Sequence, residues 1–127
     1  MIRGIRGAIT VMNNDKNEIL SATKELLEEI VESNNIDQDM IASVIFSMTS
    51  DLNQAFPAVA AREIGWTAVP LFCSQELEVE GALKKCIRVL IHYNTNKKAD
   101  EIRHIYLREA KKLRPDLIKK GEGINGR

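Results

Sequence analysis

The stretch Ile2-Arg3-Gly4-Ile5-Arg6-Gly7-Ala8-Ile9-Thr10-Val11 alternates with the period of a β-strand. Ile5, Gly7, Ile9 and Val11 fall on one face, and Gly4, Arg6, Ala8 and Thr10 on the other. The second face is the informative one. Arg6 stands there among very small neighbours, so its side chain crosses a surface with room for a ligand or another subunit. A second strand repeats the anomaly. Cys86-Ile87-Arg88-Val89-Leu90-Ile91-His92-Tyr93 is the strongest strand signal in the chain, yet it carries Arg88. A guanidinium does not shed its proton in a protein, so one enclosed in a sheet needs an anionic partner or a wet cavity. Left unpaired in apolar surroundings it costs several kcal/mol, the scale of a small domain's whole stability. Both strands therefore point to something negative.

Working outward, Asn13-Asn14-Asp15 reads as a turn and helix start, with Asp15 and Glu18 spaced as a capping box. Ile19, Leu20, Leu26, Leu27, Ile30 and Val31 then form one helical stripe, and Glu25, Glu28, Glu29 and Glu32 a solvated opposite face. This predicts one helix of about five turns, ending near Asn34-Asn35. Residues 41–48 read as a buried strand, 56–64 as a short alanine-rich helix stopped by Gly65, and 69–73 as a strand that Pro70 pushes to an edge. A last short strand is expected over residues 102–107, and a loosely ordered tail from Lys111 onward. The fold class is α/β (α+β): a mixed five-stranded sheet with one long helix and short helical turns. One helix covers only one sheet face. The other, which carries Arg6, is expected to meet further copies of the same chain.

Composition narrows the function. The 127 residues suit one domain, with 44% apolar and 28% charged residues. Lysine plus arginine total 18, as do aspartate plus glutamate, so no basic surplus supports a nucleic-acid or anionic-membrane binder. No apolar run approaches the roughly 20 residues that span a bilayer. Arg3 and Arg6 interrupt the opening apolar stretch, which therefore does not read as a secretory signal. The expectation is the cytoplasm, with Cys73 and Cys86 as free thiols.

Common catalytic patterns are missing. Gly4-x-x-Gly7 is too short to cradle a phosphate, His92 and His104 lack metal-ligand spacing, and no serine occupies a nucleophile elbow. No cofactor or metal is expected. What remains is a set of arginines, some aromatics, and Glu76 after a strand end in Cys73-Ser74-Gln75-Glu76. That kit suits a small dianion, with one carboxylate addressing a hydroxyl or a cation.

Several stretches together carry a resemblance. They are the opening Ile2-Arg3-Gly4-Ile5-Arg6-Gly7-Ala8, Phe56-Pro57-Ala58 with Ala61-Arg62-Glu63, Gly65-Trp66, Val69-Pro70 and Cys73-Ser74-Gln75-Glu76. Lys84-Lys85-Cys86-Ile87-Arg88-Val89, Ile102-Arg103-His104-Ile105-Tyr106-Leu107 and Leu113-Arg114-Pro115-Asp116 complete it. In order and length this resembles the AroH-class chorismate mutases over residues 1–117, which would form a single domain followed by a flexible tail, 118–127.

The resemblance implies a homotrimer whose sheets pack into a pseudo-α/β-barrel, with active sites at the subunit interfaces. It implies the pericyclic rearrangement of chorismate to prephenate, in phenylalanine and tyrosine biosynthesis, without cofactor or covalent intermediate. Arg88 would donate to the ether oxygen and Arg6 would hold the enolpyruvyl carboxylate, with Tyr106 nearby. Glu76 would accept from the ring hydroxyl, with Cys73 beside it. Phe56 would pack on the ring, and Arg62 and Arg114 would supply positive potential over the ring carboxylate. Val59 departs from a lysine common in the family, and Phe72 from a small polar residue. The alternative is a non-catalytic trimeric module of the same fold that binds a carboxylate metabolite. Glu76 beside Arg88 separates the two, because carboxylate binding needs the arginine but not the glutamate.

Overall fold

The computed structural model describes residues 1–116. The expected flexible tail, 118–127, lies outside them. The elements follow the expected order: β1 (Ile2–Thr10), α1 (Lys16–Asn34), β2 (Ile41–Met48), α2 (Pro57–Glu63), β3 (Leu71–Gln75), β4 (Cys86–Asn94) and β5 (Ile105–Tyr106). Short 3₁₀ segments lie at Gln38–Met40, Ala99–Glu101 and Arg108–Leu113. The strands form one mixed sheet in the order β3-β2-β4-β1-β5. β4 runs antiparallel to both β1 and β2, whereas β3 and β5 are parallel edge strands. Pro70 thus precedes an edge strand, where a missing N–H is tolerated.

α1 covers one face of the sheet. Its Ile19, Leu26, Leu27 and Ile30 pack with Ile5, Ile9, Val44, Phe46, Ile87 and Ile91, all fully buried. Each such side chain contributes roughly 1.5–3 kcal/mol through burial. Gly7 is required here for space: a Cβ at this position would lie 2.8 Å from Ile30 Cδ1 and 3.2 Å from the Ile105 carbonyl.

The helix start differs in detail from the expected box. The Asp15 carboxylate accepts from Glu18 N–H at 3.0 Å, as expected. Glu18 instead reaches back past the cap to Asn13, accepting from its backbone N–H at 3.0 Å and its side-chain amide at 2.9 Å. Both bonds hold the Glu18 pKa below its ordinary value, the side-chain bond most.

Three expectations are corrected. β2 is buried on one face only: Val44 and Phe46 are sealed, while Ile45 is 37% exposed. The last strand is confined to Ile105–Tyr106 because Asn34, buried at the end of α1, captures the Arg103 backbone. Its amide donates to Arg103 O at 2.9 Å and accepts from Arg103 N–H at 2.8 Å, bonds a strand neighbour would otherwise make. Finally, the chain from Lys111 to Leu113 is not loose. The Arg108–Leu113 segment lies over the second sheet face and buries Ala8, Cys86, Tyr106 and Ala110 as a small separate core. That face is therefore open over only part of its extent, around Arg6, Arg88, Leu90 and Ile45.

Candidate active site

Register brings the two strand arginines together. Arg6 lies opposite Leu90, and Arg88 lies between Ala8 on β1 and Ser47 on β2. Arg6 and Arg88 are diagonal neighbours on the open face, about 7–8 Å apart in such pairs. Ala8 also lies opposite Tyr106 on β5, so a single small residue separates Arg88 from the tyrosine.

Glu76 enters from beyond β3. Its N–H donates to Met48 O at 2.9 Å, continuing the pairing with β2 and turning its side chain back over the sheet. One carboxylate oxygen, Oε2, accepts from Arg88 Nη1 at 2.7 Å, and the other, Oε1, from Ser47 Oγ at 2.6 Å. The Arg88 and Glu76 side chains are 39% and 26% exposed. The anion that Arg88 requires is thus present within the chain, at the wall of a cavity and not sealed in the core.

That cavity is about 270 Å³ and is lined by Arg6, Glu76, Arg88, Tyr106 and Arg114, with Leu90 and Ile45 as its apolar floor. Arg114 is held by Asp116 through Nε at 3.1 Å and Nη2 at 2.8 Å. The Asp116 hydrogen bond, with a smaller contribution from Tyr106, holds the Arg114 guanidinium charged above its already high pKa. Glu76 and Asp116 each pair with one guanidinium, and Arg6 makes no side-chain ion pair among the described residues. Its backbone N–H donates to His104 Nδ1 at 3.0 Å, which fixes the strand beneath it. A cavity with one uncommitted guanidinium and two more at its wall is suited to a small carboxylate ligand.

Phe56 and Cys73 lie elsewhere. They line a second cavity, of about 480 Å³, between the end of β3 and the turn before α2. Phe56 is 68% exposed, and Cys73 leans toward the main core. Arg62 is exposed on α2 and lines neither cavity. Within this chain, then, five of the eight expected site residues converge and three do not. Cys86, the other thiol, sits under the 3₁₀ segment, where burial pushes its pKa up to about 11. It is a packing residue.

The chain matches the family model "Chorismate mutase type I" over residues 2–117. It is 50% identical to chorismate mutase AroH of Bacillus subtilis over 118 residues, 92% of this chain and 93% of that protein. The chain belongs to the type I chorismate mutase family. Chorismate mutase AroH of Thermus thermophilus is 52% identical over 118 residues, 92% of this chain and 97% of that one. The solved chorismate mutase from Clostridium thermocellum superposes with a TM-score of 0.86 at 50% identity, covering 87% of this chain and 99% of that one.

Of the two departures from the common chorismate mutase pattern, Phe72 is the more conspicuous, standing 65% exposed opposite Ile45 on the open face. Val59 is half-buried on α2. Sequence reasoning missed Ser47 altogether. It is one of two serines in an otherwise apolar strand, and only the β2–β4 register places it beside Arg88.

Proposed function

We infer that the protein is a chorismate mutase acting in aromatic amino-acid biosynthesis, with its chemistry at the cavity under Arg6 and Arg88. The observation that carries this reading is the convergence of Arg6, Arg88 and Glu76 on one open cavity. Chorismate carries two carboxylates, a ring hydroxyl and an ether oxygen, and the cavity offers a complement to each. Arg6 would bind the enolpyruvyl carboxylate, with Tyr106 at its side. Arg88 would donate to the ether oxygen as the C–O bond breaks and negative charge gathers there. A donor aimed at developing charge is worth roughly 3–4 kcal/mol. Glu76 would accept from the ring hydroxyl. Fixing both ends of the substrate favours the compact conformer in which the new C–C bond can form. The rearrangement is intramolecular, so no residue need act as nucleophile.

The working unit we propose is a homotrimer. Phe56, Cys73 and Arg62 do not reach the Arg88 cavity of their own subunit, and a second copy docked on the open face would bring them to it. There Phe56 would cover the substrate ring, Cys73 would lie near its hydroxyl, and Arg62 would join Arg114 over the ring carboxylate. The exposed row of Ile45 and Phe72 beside half-buried Leu90 supports such a docking face. No helix among the described residues is long and apolar enough to cross a membrane. The two free thiols fit a reducing compartment, so we place the enzyme in the cytoplasm.

The test is to add chorismate and follow its ultraviolet absorbance against a heat-killed control. Loss at catalytic enzyme concentrations is expected. No loss with micromolar enzyme would end the reading.

A further inference from the structure

Arginine and carboxylate side chains prefer a two-point contact, in which two N–H groups of the fork meet both oxygens. The Glu76–Arg88 pair shows only one such contact, Nη1 to Oε2 at 2.7 Å. A competing donor lies across the strand. Ser47 Oγ donates to Oε1 at 2.6 Å and so pulls on the oxygen that a second guanidinium nitrogen would share. Ser47 is directly opposite Arg88 in the β2–β4 register and lines the same cavity. It therefore sits where it can hold one end of the carboxylate while the arginine holds the other. Glu76 itself reaches this point from a loop on a side chain with three rotatable bonds, so its orientation depends on what grips it.

We propose that Ser47 is a positioning residue that keeps the Glu76–Arg88 pair to a single contact, leaving the remaining Arg88 donors free for the substrate. Without its hydroxyl, Oε1 turns toward Arg88 and the pair closes into the two-point form. The guanidinium is then drawn onto Glu76, and neither group presents to the ligand the edge that the reaction needs. This inference rests on the chorismate mutase reading for its kinetic consequence, but its geometric consequence stands apart from it.

The experiment compares wild type with Ser47→Ala, Ser47→Thr, Glu76→Ala and the Ser47→Ala/Glu76→Ala double variant. Loss of one hydrogen bond to a charged group predicts a fall in kcat/KM of roughly tenfold for Ser47→Ala, carried mainly by kcat. Ser47→Thr restores a hydroxyl and should recover most of that loss. In the Glu76→Ala background, Ser47→Ala should cost nothing further, because the group it positions is gone. The idea is overturned by undiminished activity in Ser47→Ala, by an equal loss with and without Glu76, or by a Thr variant as poor as the Ala variant. A second readout needs no substrate: NMR of the ¹⁵N-arginine-labelled protein. Rotation of the Arg88 guanidinium should slow in Ser47→Ala as two-point contact locks its plane, and an unchanged Arg88 signal overturns the inference. A wild-type protein inert toward chorismate would instead sink the mutase reading, with the NMR result still deciding the role of Ser47.

Discussion

On its α1 side the sheet presents Ile5, Ile9, Val44, Phe46, Ile87 and Ile91, all sealed from water. On its other side the same strands present Arg6, Arg88, Ser47 and Ile45, next to a cavity. Strand alternation places the two sets one residue apart along the chain, yet they face different solvents. The covered face is complete within the chain and carries stability. The open face has polar groups and an apolar row that the chain itself leaves uncovered, and under the proposed function it carries the chemistry. Burial and function are therefore separable residue by residue within each strand.

Changes on the covered face should test that separation most severely. Phe46→Ala removes a fully buried ring from the middle of the core, so unfolding free energy should fall by about 3–5 kcal/mol in denaturant titrations. The folded fraction should keep the wild-type KM for chorismate. A KM shift as large as the stability loss would show that the faces are coupled. Gly7→Ala should be milder, about 1–3 kcal/mol, because the added methyl crowds Ile30 and the Ile105 carbonyl without leaving a void. Thermal melting measures it, and a variant as stable as wild type would mean that α1 moves away at little cost.

The smallest effect concerns Asp51, below the end of the open face. Burial pushes its pKa up, but hydrogen bonds from the Thr49 hydroxyl and the Lys85 N–H more than offset this, and the net pKa lies below the ordinary 3.8. A depressed folded-state pKa means that Asp51 stabilises the fold above about 3.8 and that this contribution disappears as pH falls through the lower folded value. Asp51→Asn should therefore lose a little stability at neutral pH and show a shallower decline than wild type in acid. Parallel stability–pH curves for the two proteins would refute the linkage.

The same division decides what could be read from the sequence. The covered face was legible because hydrophobic period alone defines it: the stripe of α1 and the alternation of β1 and β4 name most of the core. Arg6 and Arg88 stood out as charges in apolar strands and Glu76 as a carboxylate just past a strand end, and the family resemblance supplied Tyr106 and Arg114. Three features escaped. Ser47 acquires a role only through cross-strand register, which links residues far apart in the chain. The 3₁₀ segment Arg108–Leu113 is too short and too charged to show a period, and it is held by Ala110 packing and by Arg108 donating to Thr10 O at 3.0 Å. Asn34 shortened β5 by bonding to the Arg103 backbone, a side-chain substitution for sheet pairing that no propensity announces.

The central claim is that the charge of Arg88, and not only its shape, accelerates the rearrangement. The direct measurement is kcat for chorismate conversion with Arg88 replaced by citrulline, which keeps the hydrogen-bonding outline but removes the positive charge. The account predicts a loss of several orders of magnitude in kcat with a much smaller change in KM. A citrulline enzyme with undiminished kcat would contradict it.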